Sequence, residues 1–69
     1  MTATTIDIDG VAHYKVGIAA RVLRTTPARI RALMGDGTLE WNQARVNGPI
    51  LVTVESVRKH LREQVEKLR

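Results

Sequence analysis

Apolar residues recur along this chain with two different periods. After a small, polar start at Met1–Thr5, the run Thr5-Ile6-Asp7-Ile8 alternates, and Asp9-Gly10 is a tight-turn dipeptide. A short N-terminal strand or hairpin is expected there. Val16, Ala19, Ala20 and Leu23 then stand at helical spacing and predict a short helix over Val16–Leu23. Gly17 lowers its propensity, so this helix depends on tertiary support. Arg24-Thr25-Thr26 breaks the pattern. With Thr26 as cap and Pro27 at the first helical position, a second helix follows over Pro27–Met34. Gly35 ends it, with Asp36 and Gly37 continuing the stop. Ile30, Leu33 and Met34 fall on one side of it, which leaves Ala28, Arg29, Arg31 and Ala32 pointing elsewhere.

Beyond Gly37 the period returns to two. Leu39 to Arg45 alternates, with Leu39 and Trp41 on one face and Glu40 and Asn42 on the other. Trp41 is therefore expected as a core anchor under a hairpin. Asn47-Gly48 is read as the two-residue turn of that hairpin, and Ile50–Val54 as its β-branched return strand. Pro49 lacks a backbone donor, which suits an exposed or edge position. Thr53 can start a last helix through about Leu68, with Val57, Leu61, Val65 and Leu68 as its apolar stripe. Val57 and Leu61 are expected to pack on the first two helices, and Val65 and Leu68 to extend beyond them. The order is helix, tight turn, helix, hairpin, helix. It describes one small α+β domain, mainly α, over 14–69, preceded by an arm over 1–13 with room for a third strand.

Composition narrows the class. Sixty-nine residues allow one domain with a thin core, and 43% hydrophobic residues suit a folded chain. Phe is absent and there is one Trp and one Tyr, so the core is aliphatic. Without cysteine there are no disulfides, thiolate zinc sites or Cys nucleophiles. His13 and His60 stand alone, so no metal is expected; His13 is read with the approach to the first helix, and His60 as solvated on a basic one. Asp7 and Asp9 are read as a strand's solvent face and its turn, without a nucleophile or second base beside them. No enzymatic activity, cofactor or small-molecule ligand is expected. No apolar run has the length of a membrane span and the first residues lack a signal pattern, so a cytoplasmic location without membrane contact is expected.

Charge points to a partner. The net charge is +4, and from Lys15 to Gly35 there are five cations (Lys15, Arg21, Arg24, Arg29, Arg31) and no acid. Such a stretch suits a polyanion, nucleic acid being the commonest. Two short helices joined by a three-residue break can hold the second in a DNA major groove. Arg29 and Arg31, facing away from the core, can grip guanine edges or clamp phosphate. Ala28 and Ala32 are small enough for close approach and can meet a thymine methyl. Arg45, beside the Asn47-Gly48 tip, is placed to enter a minor groove, where A·T tracts concentrate negative potential.

The residues Tyr14-Lys15-Val16-Gly17-Ile18-Ala19-Ala20-Arg21-Val22-Leu23, Thr26-Pro27, Ile30-Arg31, Gly37 and Leu39 resemble the winged helix-turn-helix head of MerR-type regulators. They are equally similar to phage excisionases, the recombination directionality factors that share that fold. Thr53 to Leu61 resembles the helix following the wing in both. The resemblance covers residues 14–61 and implies a small winged helix-turn-helix with a two-stranded wing and a C-terminal helix. It implies that Thr26, Ala28, Arg29, Arg31 and Ala32 on the second helix meet the major groove. Lys15, Arg21, Arg24 and Thr25 would grip backbone phosphate, and Arg45, Asn47 and Gly48 would form the wing contact. The sequence departs from the pattern at Arg24-Thr25, where the turn usually has Gly and an apolar residue. It departs again at Pro49-Ile50, where the wing usually has an aromatic and a basic residue. The long dimerising helix and ligand domain of MerR regulators are missing, so the resemblance favours an excisionase. That implies a double-stranded DNA partner, self-association side by side on DNA, and a phage integrase as protein partner. A small MerR-like transcriptional regulator is the alternative, and a winged-helix interaction or assembly adaptor the alternative from another class.

Overall fold

A computed structural model describes residues 5–43 and 45–67, so the expectations for residues 1–4 and for Leu68 lie outside the described residues. Strand β1 (Ile6–Ile8) turns back into β2 (Val11–Lys15) through Asp9 and Gly10, both left-handed at φ 51° and 82°. Those are the two positive φ values of a mirror-image hairpin turn, and an Asp-Gly pair adopts them at little cost. β2 runs directly into helix α1 (Val16–Val22), with Lys15 at its N-cap. Helix α2 (Pro27–Gly35) follows, then β3 (Trp41–Gln43), β4 (Ile50–Thr53) and helix α3 (Val54–Lys67).

The helix boundaries have local causes. Thr26 Oγ1 accepts from the Arg29 N–H at 3.2 Å, and Pro27 occupies the first position of α2. At the other end Gly35 is still helical, Asp36 is the cap and Gly37 carries the left-handed φ of 85°, so the stop lies later than the sequence suggested. Asp36 Oδ1 accepts from the Thr38 N–H at 2.8 Å. α3 starts on a reciprocal cap in which Thr53 Oγ1 accepts from the Ser56 N–H at 3.3 Å and Ser56 Oγ donates to the Thr53 carbonyl at 3.0 Å.

The four strands form one antiparallel sheet in the order β1-β2-β4-β3. Its centre is the pairing of β2 with β4, in which His13, Tyr14 and Lys15 lie opposite Thr53, Val52 and Leu51. The N-terminal hairpin and the β3–β4 hairpin are thus one continuous sheet. Alternation sends Tyr14 and Val52 to the helical side, where Val52 packs with Ala19, Ala20, Leu23, Ile30, Leu33, Leu39 and Val57. Tyr14, Val16, Val22 and Met34 line the margin of this core.

Three expectations are corrected here, the first being that Leu61 packs on α1 and α2: it is 38% exposed, because α3 buries only Val54, Ser56 and Val57 of its first turn. Trp41 is no core anchor: it is 48% exposed, whereas Leu39 is buried. β3 spans only Trp41–Gln43 at the sheet edge, while Leu39 lies before it and is tied by its N–H to the Leu33 carbonyl at 3.1 Å. The anchors on the opposite face are instead Leu51 and His13, both buried. Nor is Asn47-Gly48 a two-residue turn. The last β3 pair is Gln43 with Ile50, so more than two residues separate the strands; the described loop covers 45–49, and its internal turn is closed by the Gly48 N–H on the Arg45 carbonyl at 3.0 Å. Asn47, not Gly48, takes the positive φ, at 66°. Gly48 is needed for a different reason: a Cβ there would stand 2.8 Å from Arg45 Cγ and 3.0 Å from the Arg45 carbonyl oxygen.

Candidate nucleic-acid interface

The turn between α1 and α2 is built on an unusual residue. Leu23 caps α1, and Arg24 follows in the left-handed region at φ 55°. The Arg24 N–H reaches the Arg21 carbonyl at 3.2 Å and the Thr25 N–H reaches the Ala20 carbonyl at 2.8 Å. These are the two bonds of a Schellman cap, whose left-handed position glycine normally holds. A side chain in that region costs about 1–2 kcal/mol. The position that departs from the resembled families in residue type therefore keeps the backbone conformation that a glycine would take. Arg24→Gly is expected to raise stability by about 0.5–1 kcal/mol after the entropic cost of glycine. The urea midpoint should rise at unchanged slope, and an unchanged midpoint would mean the turn carries no strain.

On α2, Ile30 and Leu33 are buried while Ala28, Arg29, Arg31, Ala32 and Gly35 are exposed. Helical geometry orders the exposed ones. Ala28, Ala32 and Gly35 lie opposite the core, and Arg29 and Arg31, about 200° apart around the axis, flank this small-residue ridge on opposite sides. The two arginines therefore serve different neighbourhoods. Arg31 lines a groove of about 410 Å³ together with Lys15, Met34, Gln43, Gly48 and Pro49. Arg29 lies on the side of Asp36, whose carboxyl is held below its usual 3.8 first by hydrogen bonds from Thr38, and then by the charges of Arg29 and His60. A carboxylate with a depressed folded-state value adds stability above its ordinary pKa and loses it as acid protonates it. The Asp36 contribution is thus present at neutral pH and disappears as the pH falls below 3.8.

The groove joins three parts of the chain that the sequence could not connect. Lys15 comes from the end of β2, Arg31 from α2, and Gly48 and Pro49 from the 45–49 loop. Gln43, which sequence reasoning did not single out, belongs to it as well. Its Nε2 donates to the Gly48 carbonyl at 2.7 Å, tying the loop to β3. The signal for it was present in the alternation, since Trp41 and Gln43 share the face of the sheet on which α2 packs. Arg21, Arg24 and Thr26 are exposed, and Thr25 is half-buried. Arg45 and Asn47 are exposed on the loop, with Gly48 half-buried beneath them. Lys15 and Arg31 are thus the two cations of the groove, Gln43 is polar, and Val16, Met34, Pro49 and Ile50 make the rest of its lining largely apolar.

No helix among the described residues is long and apolar enough to cross a membrane. No protein-family model, curated protein or solved structure matches this chain.

Proposed function

We propose that this chain is a duplex-DNA-binding protein that presents α2 to the major groove and the 45–49 loop to the adjacent minor groove, in the manner of a winged helix-turn-helix. The observation that carries this reading is the groove in which Lys15 and Arg31 meet the base of that loop. It brings two cations together beside an exposed helix whose ridge is only Ala28, Ala32 and Gly35. Small residues let a helix backbone sit deep between two sugar-phosphate walls, and arginines on its flanks reach toward them or toward guanine edges. Arg24 gives the strained turn a cation in exchange for the ease of glycine, a combination that suits a phosphate contact. Arg21 and Arg29 are further exposed cations outside the groove.

The biological role that goes with this reading is that of an excisionase: a small architectural protein of a bacterial cell that binds adjacent sites and directs an integrase toward excision. The sequence resemblance over 14–61 supports it. A lone domain of this size draws most of its affinity from phosphate contacts, and side-by-side binding multiplies that affinity without enlarging the single interface.

The test is a titration of the pure protein against duplex DNA at several salt concentrations. About four phosphate contacts give a slope of log K on log salt of about −3 to −4. Lys15→Ala should reduce the magnitude of that slope by about 1 and weaken all sequences alike. Binding without a salt slope, or none at all, would leave the adaptor class in its place. On a duplex with tandem sites, a ladder of discrete shifted species is expected. Arg45→Ala should weaken binding most where the flanks are A·T-rich, because a narrow minor groove attracts a guanidinium most strongly. An equal loss on all flanks would remove the loop as a minor-groove reader.

A further inference from the structure

A second basic groove lies at the other end of the sheet. β2 begins at Val11 and ends at Lys15. Its last residue lines the groove described above, and its first lines another of about 610 Å³ between the N-terminal hairpin and α3. Val11, Ala12 and Val54 form the apolar part of this second groove, and Arg58, Lys59 and Arg62 its charged part, with Glu55 at the start of the helix. Val11 is 47% exposed although it is a strand residue.

α3 extends past this groove, whose lining on the helix ends at Arg62. Val54, Ser56 and Val57 are the buried residues of that helix; from Arg58 to Lys67 its residues are exposed, save a half-buried His60. Val54, Arg58, Leu61, Arg62 and Val65 stand at positions i, i+4, i+7, i+8 and i+11, so they share one face. On that face Leu61 is 38% and Val65 48% exposed. Arg58 and Arg62 are one turn apart and repel each other, while apolar side chains border both. A sugar-phosphate backbone would satisfy the arginines and leave Leu61, Val65 and Val11 with nothing to bury against. A helical peptide with apolar residues along one stripe and carboxylates beside it satisfies both sets.

We propose that the hairpin–α3 groove, together with the adjoining Leu61 and Val65 face of α3, is a docking site for an acidic amphipathic helix of a partner protein. Leu61, Val65 and Val11 would receive its apolar stripe, and Arg58, Lys59 and Arg62 would pair with its carboxylates. Helix-in-groove recognition of this kind takes its affinity from the apolar anchors and its orientation and selectivity from the flanking charges. The proposal stands apart from DNA binding: the two grooves share no lining residue.

The experiment uses the full chain and three labelled probes in fluorescence anisotropy. One is a helix-forming peptide of about 18 residues with leucines at i, i+3, i+4 and i+7 and glutamates beside them. The second has the same composition with the leucines scrambled, and the third is a DNA duplex. The patterned peptide should bind at least about tenfold more tightly than the scrambled one, because its stripe matches the apolar face. Arg58→Glu/Arg62→Glu and, separately, Leu61→Ser should each weaken it by about tenfold or more while leaving the thermal melt and duplex affinity in place. Amide shifts on titration should fall at Gly10–Ala12 and along Arg58–Val65. Equal binding of the two peptides, reducing the surface to bare charge attraction, would overturn the proposal. So would loss of duplex affinity in the double variant with no peptide bound, which would assign α3 to nucleic acid. Peptide binding without any duplex binding would uphold this groove and refute the DNA reading alone.

Discussion

Arg31→Ala is expected to weaken binding to a preferred duplex by about 1–3 kcal/mol and to relax base discrimination at the position it reads. Arg31 is the one arginine of α2 that lines the groove shared with Lys15 and the 45–49 loop. A duplex following both α2 and the loop must therefore pass its guanidinium. Arg29, on the far flank, already acts on the Asp36 carboxylate. Arg29→Ala should accordingly cost less and weaken all sequences alike. Arg31→Lys separates charge from geometry, since a lysine keeps the positive charge but loses the planar fork that holds guanine O6 and N7 together. It should restore binding to random DNA and leave discrimination impaired. The measurement is anisotropy at one fixed salt concentration on the preferred duplex and on each single-base variant of it. A uniform loss across all of them would make Arg31 a phosphate clamp and leave base reading to other residues.

What the sequence made legible is what its neighbours in the chain decide. The start of α2 is written in Thr26-Pro27, because a hydroxyl cap and a missing N–H act on the first turn alone. The Asp9-Gly10 turn and the Thr53 cap are local in the same sense. The sheet is not. Nothing near His13 announces Thr53 as its partner, and that pairing makes two hairpins into one surface. Trp41 failed for a related reason. Alternation gives the face of a side chain correctly, but whether that face is covered depends on where the sheet ends, and β3 is an edge. In the 45–49 loop, Asn-Gly is a strong hairpin signal, yet the strands stop pairing at Gln43 and Ile50 and leave more chain than a two-residue turn accepts.

The candidate interface divides in the same way. That Arg29 and Arg31 are exposed follows from Ile30 and Leu33 being apolar, and the structure agrees. That they flank the helix on opposite sides was also available from the 3.6-residue turn, though two arginines so close in sequence invite treatment as one patch. Alternation gives the face of Gln43, but its meeting with Lys15, Arg31 and Gly48 depends on how β2, α2 and the β3–β4 hairpin are stacked. Gln43 in particular is defined by one contact, its hydrogen bond to the Gly48 carbonyl.

His13→Ala is expected to cost about 3 kcal/mol or more, a large share of what a chain of this size has to lose. The ring is wholly buried on the face of the sheet away from the helical core. Its Nδ1 lies 2.8 Å from the Val11 carbonyl, which can only accept, so Nδ1 carries the proton. Nε2 is then the acceptor for the Asn42 amide at 3.1 Å. β4 lies between β2 and β3, so this bond reaches over a strand and fixes the edge strand that carries the loop to the strand that ends at Lys15. Truncating the histidine leaves a cavity and frees Asn42. Truncating Asn42 instead leaves a buried ring nitrogen without a donor, at about 1–3 kcal/mol. The double variant should then cost less than the sum of the two, because the same bond is lost only once. Urea unfolding of the two single variants and the double variant measures this coupling. If the costs simply add, the bond contributes nothing and β3 is held by its ladder with β4 alone. If the coupling is present, Asn42→Ala should also reduce the preference for A·T-rich flanks, because Arg45 would then be carried by a looser strand.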